Sequence, residues 1–146
     1  MATSTRIHAK NIVFKIGTTE YSCDATAVSL ELGDAAGDVR TFCEVSNGKM
    51  WTLNLECIQS GDATSLYQVL FANYGTSVAF TIAPAGNAAP ATGKPHYKGT
   101  AIFNMLPNMS LTAGEVAKFT VALEVDNSSH DPANKIYWGV EVDVTP

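Results

Sequence analysis

Charge is scarce in this chain. Only 16% of its 146 residues are Asp, Glu, Lys or Arg, where a soluble domain commonly carries about 25%. So little charge leaves part of the surface thinly covered, as expected if that part meets other subunits. Long apolar runs are missing too, which argues against a membrane-spanning helix. The opening stretch MATSTRIHAKN has no apolar core, so no secretory signal is expected. Cysteine is limited to Cys23, Cys43 and Cys57, an odd number with no metal-ligand spacing. Each sits in a strand-like stretch, where a free thiol behaves as a small buried hydrophobe in a reducing compartment.

Chemistry is equally sparse. Gly33 and Gly37 are not followed by Lys-Ser/Thr and open no helix, so no phosphate loop is present. There is no GxSxG nucleophile elbow. His8, His96 and His130 are scattered in arm-like or loop-like contexts and read as surface residues, with no second His at metal spacing. A general base needs a partner and a dry pocket. No catalytic residue, metal or cofactor is expected, and the chain does not read as an enzyme. The net charge of −5 argues against a basic nucleic-acid reader.

What the chain does have is period two. Phe14 and Ile16, then Val28, Leu30 and Leu32, share faces. Trp51, Leu53, Leu55 and Cys57 alternate with Thr52, Asn54 and Glu56 over residues 49–58. Val78, Phe80 and Ile82 form a short face, and Phe119, Val121, Leu123 and Val125 a longer one. Side chains of a strand point alternately to opposite faces, so each run predicts a half-buried strand. Several such runs predict an antiparallel sandwich or barrel. Asn47-Gly48 suits a hairpin turn after a strand over 39–45.

One helix is predicted over 63–73, with Asp62 as its cap and Gly75 just past its end. The fold class is therefore mainly β, an antiparallel sandwich or barrel with one flanking helix. Residues 1–11 read as an amino-terminal arm, 12–126 as the β domain and 127–146 as a carboxy-terminal extension. Within that extension, Tyr137 to Val144 alternates like a strand but follows a polar connector, so it is expected to pair away from its own core. Tyr137 and Trp138 suit a subunit interface, where an aromatic can be part buried and part wet.

The order of several weak motifs resembles the major tail (tail tube) proteins of long-tailed bacteriophages, especially those of actinobacteria. The resembling stretches are Glu20 to Thr26, Gly37 to Cys43, the helix leading into Asn73 to Val78, Lys94-Pro95 with Gly99-Thr100, and Gly114 to Val121. They span roughly 12–126, and the last twenty or so residues depart from the short ending of the family.

The resemblance implies a structural virion protein made in the host bacterial cytoplasm. It implies a self-assembling homo-oligomer, with hexameric rings stacked into a helical tube. Its partners would be the tape measure protein and the tail terminator and tip proteins, and DNA would pass through the lumen without specific binding. Thr52, Asn54, Glu56 and Glu31 are then candidates to face the lumen. Arg6, Lys10, Asp34, Asp38, Arg40, Tyr137 and Trp138 are candidates for contacts between subunits or rings, the first two on the arm and the next three on a hairpin spanning about 32–42. Two other readings stay open: a carbohydrate- or receptor-binding β-sandwich of the tail tip, and the inner tube of a contractile injection system.

Overall fold

The computed structural model describes residues 12–34 and 49–145. Among the described residues it is mainly β with one α-helix. The strands are β1 (Val13–Ile16), β2 (Thr19–Glu20), β3 (Ala25–Asp34), β4 (Lys49–Ile58), β5 (Ser77–Ala83), β6 (His96–Ile102), β7 (Lys118–Val125), β8 (Ile136–Tyr137) and β9 (Val140–Asp143), and helix α1 (Leu66–Ala72) lies between β4 and β5. They join in the order β2-β1-β5-β6-β7-β4-β3, with β9 also on β6 and β8 on β9. The pairings are antiparallel.

Strand β6 organises the sheet. One of its edges pairs with β5 from Tyr97 to Ile102. Its other edge is divided: His96, Tyr97 and Lys98 pair with β9, whereas Ala101 and Ile102 pair with β7. The sheet forks at this strand. The inward faces of β1 and β5 (Phe14, Ile16, Phe80, Ile82) then meet those of β4 and β7 (Leu53, Leu55, Phe119, Val121, Leu123) in one buried cluster, a sandwich-like arrangement. Burial of each such side chain stabilises the fold by roughly 1.5–3 kcal/mol. Period two does not reveal β6, because Gly99 interrupts it. That glycine lies opposite Phe80, and a Cβ there would come within 2.9 Å of the Phe80 ring. The missing side chain makes room for the ring, a known use of a strand glycine.

The helix is shorter than its sequence suggests and capped by a different residue. Asp62 is not the cap. Ser65 is: its Oγ accepts from the Gln68 N–H at 3.4 Å and donates to the Asp62 carbonyl at 2.7 Å. A hydroxyl at this position satisfies a first-turn N–H that has no partner within the helix. Asp24 reaches across to accept from the Leu66 N–H at 3.1 Å, fixing the helix start to the β2–β3 connection. Leu66 and Leu70 are fully buried, one turn apart. Tyr67 meets Phe71 and Phe119 edge-on, at 5.2 and 5.1 Å between centroids. Gly75 takes φ +87, the left-handed conformation expected past the helix end.

Two further expectations are corrected. Cys57 is buried, but Cys23 is exposed. The turn after β2 sends Tyr21 into the core instead, with its N–H on the Phe14 carbonyl and its own carbonyl taking the Asp24 and Ala25 N–H groups. His96 is buried rather than superficial, and its Nε2 lies 2.9 Å from the Asn87 carbonyl. Cys43, the strand over 39–45 and the Asn47-Gly48 turn lie outside the described residues.

Candidate assembly surface

Pairing register converts period two into a two-dimensional face. On the outward side of β3, β4 and β7, three rows run across the strands: Glu31–Thr52–Glu124, Ser29–Asn54–Ala122 and Ala27–Glu56–Thr120. Thr52, Asn54, Glu56 and Glu31, expected to face one way, do share this face. Register adds a residue the sequence alone did not single out, Glu124. Three carboxylates occupy the face, which also carries Lys118 in the row next to Glu56, opposite Ile58. A cleft of about 560 Å³ lies on it, floored by Ser29, Asn54, Glu56 and Thr120 and overhung by Met105 and Leu106.

The overhang is tied down. Asn108 Oδ1 accepts from the Thr120 N–H at 3.0 Å, and Gln59 Nε2 donates to the Ser110 and Lys118 carbonyls at 3.1 and 2.8 Å. These side chains satisfy part of the β7 edge that lies beyond the end of β6 at Ile102.

Strand β3 is the long edge of the sheet. It spans ten residues, and among the described residues its one strand partner is β4. A slip in register between Ala25 and Ala27 marks a bulge at its start. Its inward side chains are incompletely covered: Val28 and Leu30 are half-buried, and Leu32 is 42% exposed. With Trp51, Tyr97, Tyr137, Val140 and Val142, Val28 and Leu30 line an open apolar groove of about 340 Å³.

The carboxy-terminal segment closes the other side of that groove. It does not pair away from its own core. Val140–Asp143 joins β6 in register His96↔Asp143, Tyr97↔Val142 and Lys98↔Glu141, on the part of the β6 edge that β7 leaves vacant. Tyr137 and Trp138, expected at a subunit contact, have partners within the chain. The Tyr137 carbonyl accepts from Trp51 Nε1 at 2.8 Å. Trp138 and Gly139 form the two-residue turn between β8 and β9, with φ of 47 and 90. Positive φ at both central residues is the hairpin turn whose twist matches the flanking strands. The Trp138 ring stacks on His130 at 4.2 Å, and the Trp138 backbone N–H donates to His130 Nδ1 at 3.1 Å.

Of the other contact candidates, Asp34 meets Lys49 at 2.6 Å across the end of the β3–β4 ladder. Both side chains are largely exposed, so the pair adds little stability. Arg6, Lys10, Asp38 and Arg40 lie outside the described residues.

Among the described residues two groups have clearly shifted ionisation. Burial pushes the Cys57 thiol up to about 12, with Asp24 and Glu56 adding to the effect, so it is no nucleophile at neutral pH. Asp143 is held below the usual carboxylate range by its hydrogen bond from Lys98, at 2.7 Å, and a second from the Thr145 N–H. Among the described residues no cluster of three or more His, Cys, Asp or Glu is arranged to hold a metal ion. No protein-family model matches the chain, and no curated protein matches it.

Proposed function

We propose that this chain is a structural subunit of a phage tail tube, which assembles with copies of itself into stacked rings enclosing a conduit for DNA. The observation that carries the reading is β3, ten residues long and, among the described residues, an edge strand, beside an acidic face. A long open edge invites pairing with another chain, and a soluble protein normally blunts it. Continuing the sheet into neighbours around a ring removes the edge altogether, as closure does in any barrel.

The polar rows suit the inner wall of such a conduit. Glu31, Glu56 and Glu124 on one face repel phosphates across a narrow bore, where distances are comparable with the screening length of roughly 8–10 Å. A wall of Lys and Arg would instead release counterions and hold the DNA. Transit needs the absence of affinity, and Thr52 and Asn54 between the carboxylates offer no cationic grip. The tape measure protein, the tail terminator and the tip proteins would be its partners, and the virion its place of work.

Electron microscopy of purified protein at rising concentration tests the reading. Rings or tubes of uniform bore are expected. A chain that stays monomeric and folded at every concentration, with and without the other tail proteins, overturns it.

A further inference from the structure

The connection from β6 to β7, residues 103–117, starts in the core and then turns outward. Phe103 is fully buried, but Met105, Leu106, Met109, Leu111 and Val116 are 49–72% exposed. The loop is anchored along its length. The Phe103 N–H donates to the Thr76 carbonyl at 2.9 Å, Asn108 holds Thr120, Gln59 holds Ser110, and the Glu115 N–H closes a turn on the Thr112 carbonyl at 3.1 Å. Those exposures amount to an apolar surface on the order of 500 Å², in the upper part of the range for the largest patch on a typical monomer. Glu115 is the one charged residue in the stretch, so a highly charged partner has little to recognise there.

The complementary feature lies on the opposite side of the sheet. Met105 and Leu106 approach β4 beside its outward residues Asn54 and Glu56. The apolar groove is walled by inward residues, Leu30 and Trp51 among them, together with Tyr97, Tyr137 and Val142. Outward and inward positions of one strand face apart, so a copy's loop and its own groove are separated by the sheet.

We propose that the β6–β7 loop of one copy seats Met109 and Leu111 in the apolar groove of a second copy. An apolar patch that fits a pocket elsewhere on the same molecule makes a heterologous contact, which generates a ring where its rotation closes and a filament where it does not. The loop's apolar surface alone falls short of the roughly 800 Å² per partner of a standard interface, so this contact is one part of a larger interface between copies. Taking a second copy as the occupant rests on the tube reading above; the loop and groove themselves do not depend on it.

Sedimentation velocity and electron microscopy of two variants test the contact. One is the double substitution Met109→Asp with Leu111→Asp, which spoils the loop. The other is Tyr137→Glu, which spoils the groove, with Tyr137→Ser as a milder form should the first fold poorly. Each alone is expected to raise the concentration needed for assembly at least about tenfold, the effect of losing some 1.4 kcal/mol of contact. The loop variant should keep the wild-type circular dichroism and thermal midpoint.

Mixing the two variants should restore one kind of contact, because the loop variant retains a sound groove and the groove variant a sound loop. Complexes containing both variants are then expected. A loop variant that assembles at the wild-type concentration overturns the contact and leaves the tube reading standing. So does a mixture that forms no joint complex, or a loop variant whose thermal midpoint drops sharply, since its loop would then pack on its own chain. A wild-type chain that never assembles overturns both.

Discussion

Strands β4 and β3 lie side by side with the same alternation, yet they are covered very differently. Leu53 on β4 is completely buried, whereas Leu30, its register partner on β3, is half-buried. Both point inward, and both belong to or pack against the same cluster. The difference is position. Leu53 has a strand on each side, since β4 also pairs with β7; Leu30 sits on the sheet edge above the open groove. Alternation specifies which way a side chain points, and the neighbours decide how much water it loses.

That pair gives the largest expected effect. Leu53→Ala should destabilise the monomer by about 2–5 kcal/mol, as truncation of a fully buried leucine does. Leu30→Ala should cost the isolated monomer about 1 kcal/mol or less, because less apolar surface is returned to water. Chemical denaturation of both variants below the assembly concentration measures the contrast. Equal losses would mean that β3 is sealed within one chain and needs no neighbour.

A second contrast sets the β8–β9 turn against the helix end. Gly139 and Gly75 both have positive φ, but a Cβ at Gly75 meets open space, whereas at Gly139 it would overlap the Asp126 carbonyl oxygen. Gly139→Ala should therefore cost about 1–3 kcal/mol, combining backbone strain with a displaced connection. Gly75→Ala should cost about 1 kcal/mol, the strain term alone. Thermal unfolding ranks the two. The reverse order would show that the carboxy-terminal hairpin is only loosely docked.

These contrasts mark what could be read from the residues. β4 and β7 have the bounds that their alternation predicts, because each has a strictly apolar inward face. β6 was not legible. His96, Lys98 and Gly99 break the period, and the strand is specified by pairing with β5, β7 and β9, all remote in sequence. The helix over 63–73 is legible in the sequence, but that Ser65 and not Asp62 caps it depends on backbone geometry that periodicity does not encode. On the candidate surface, spacing placed Thr52, Asn54 and Glu56 together. Register was needed to bring Glu31 and Glu124 beside Thr52. The exposed Met109 and Leu111 had no distinguishing signal, since apolar residues in a sequence read first as core.

Cys57 and Cys23 offer a smaller contrast, in chemistry rather than packing. Native protein at pH 8 should be alkylated at Cys23 and spared at Cys57. The thiol pKa is raised in the folded state to about 12, from about 8.5 in an unfolded chain. A raised folded pKa contributes stability that is complete below the unfolded value and lost as pH climbs toward the folded one. Stability should therefore fall from about pH 8.5 upward, and Cys57→Val should flatten that part of the profile. Equal alkylation of the two thiols would contradict the burial of β4.

Glu56 and Lys98 complete the series, one carboxylate without a direct cationic partner in its row and one cation with a carboxylate partner. Glu56→Lys should leave stability within about 0.5 kcal/mol, as surface changes usually do, and tubes should still form. If the acidic face lines the conduit, genome release from particles carrying this variant should slow; release at the wild-type rate would remove the face from the lumen. Lys98 acts on its own chain. Its ammonium holds Asp143 below the usual carboxylate range, and a depressed folded pKa gives stability present above the unfolded value of about 3.9 and lost as pH falls through the folded one. Acid should thus loosen β9 from β6 before it affects β4. Amide exchange at Tyr97 and Val142, followed from pH 6 down to 3, should accelerate relative to Leu53 and Leu123, and Lys98→Met, which lacks the pair at every pH, should show that loosening already at pH 6 with little further change in acid. Identical exchange profiles in the variant would show that strand pairing, and not this ion pair, holds the carboxy-terminal hairpin in place.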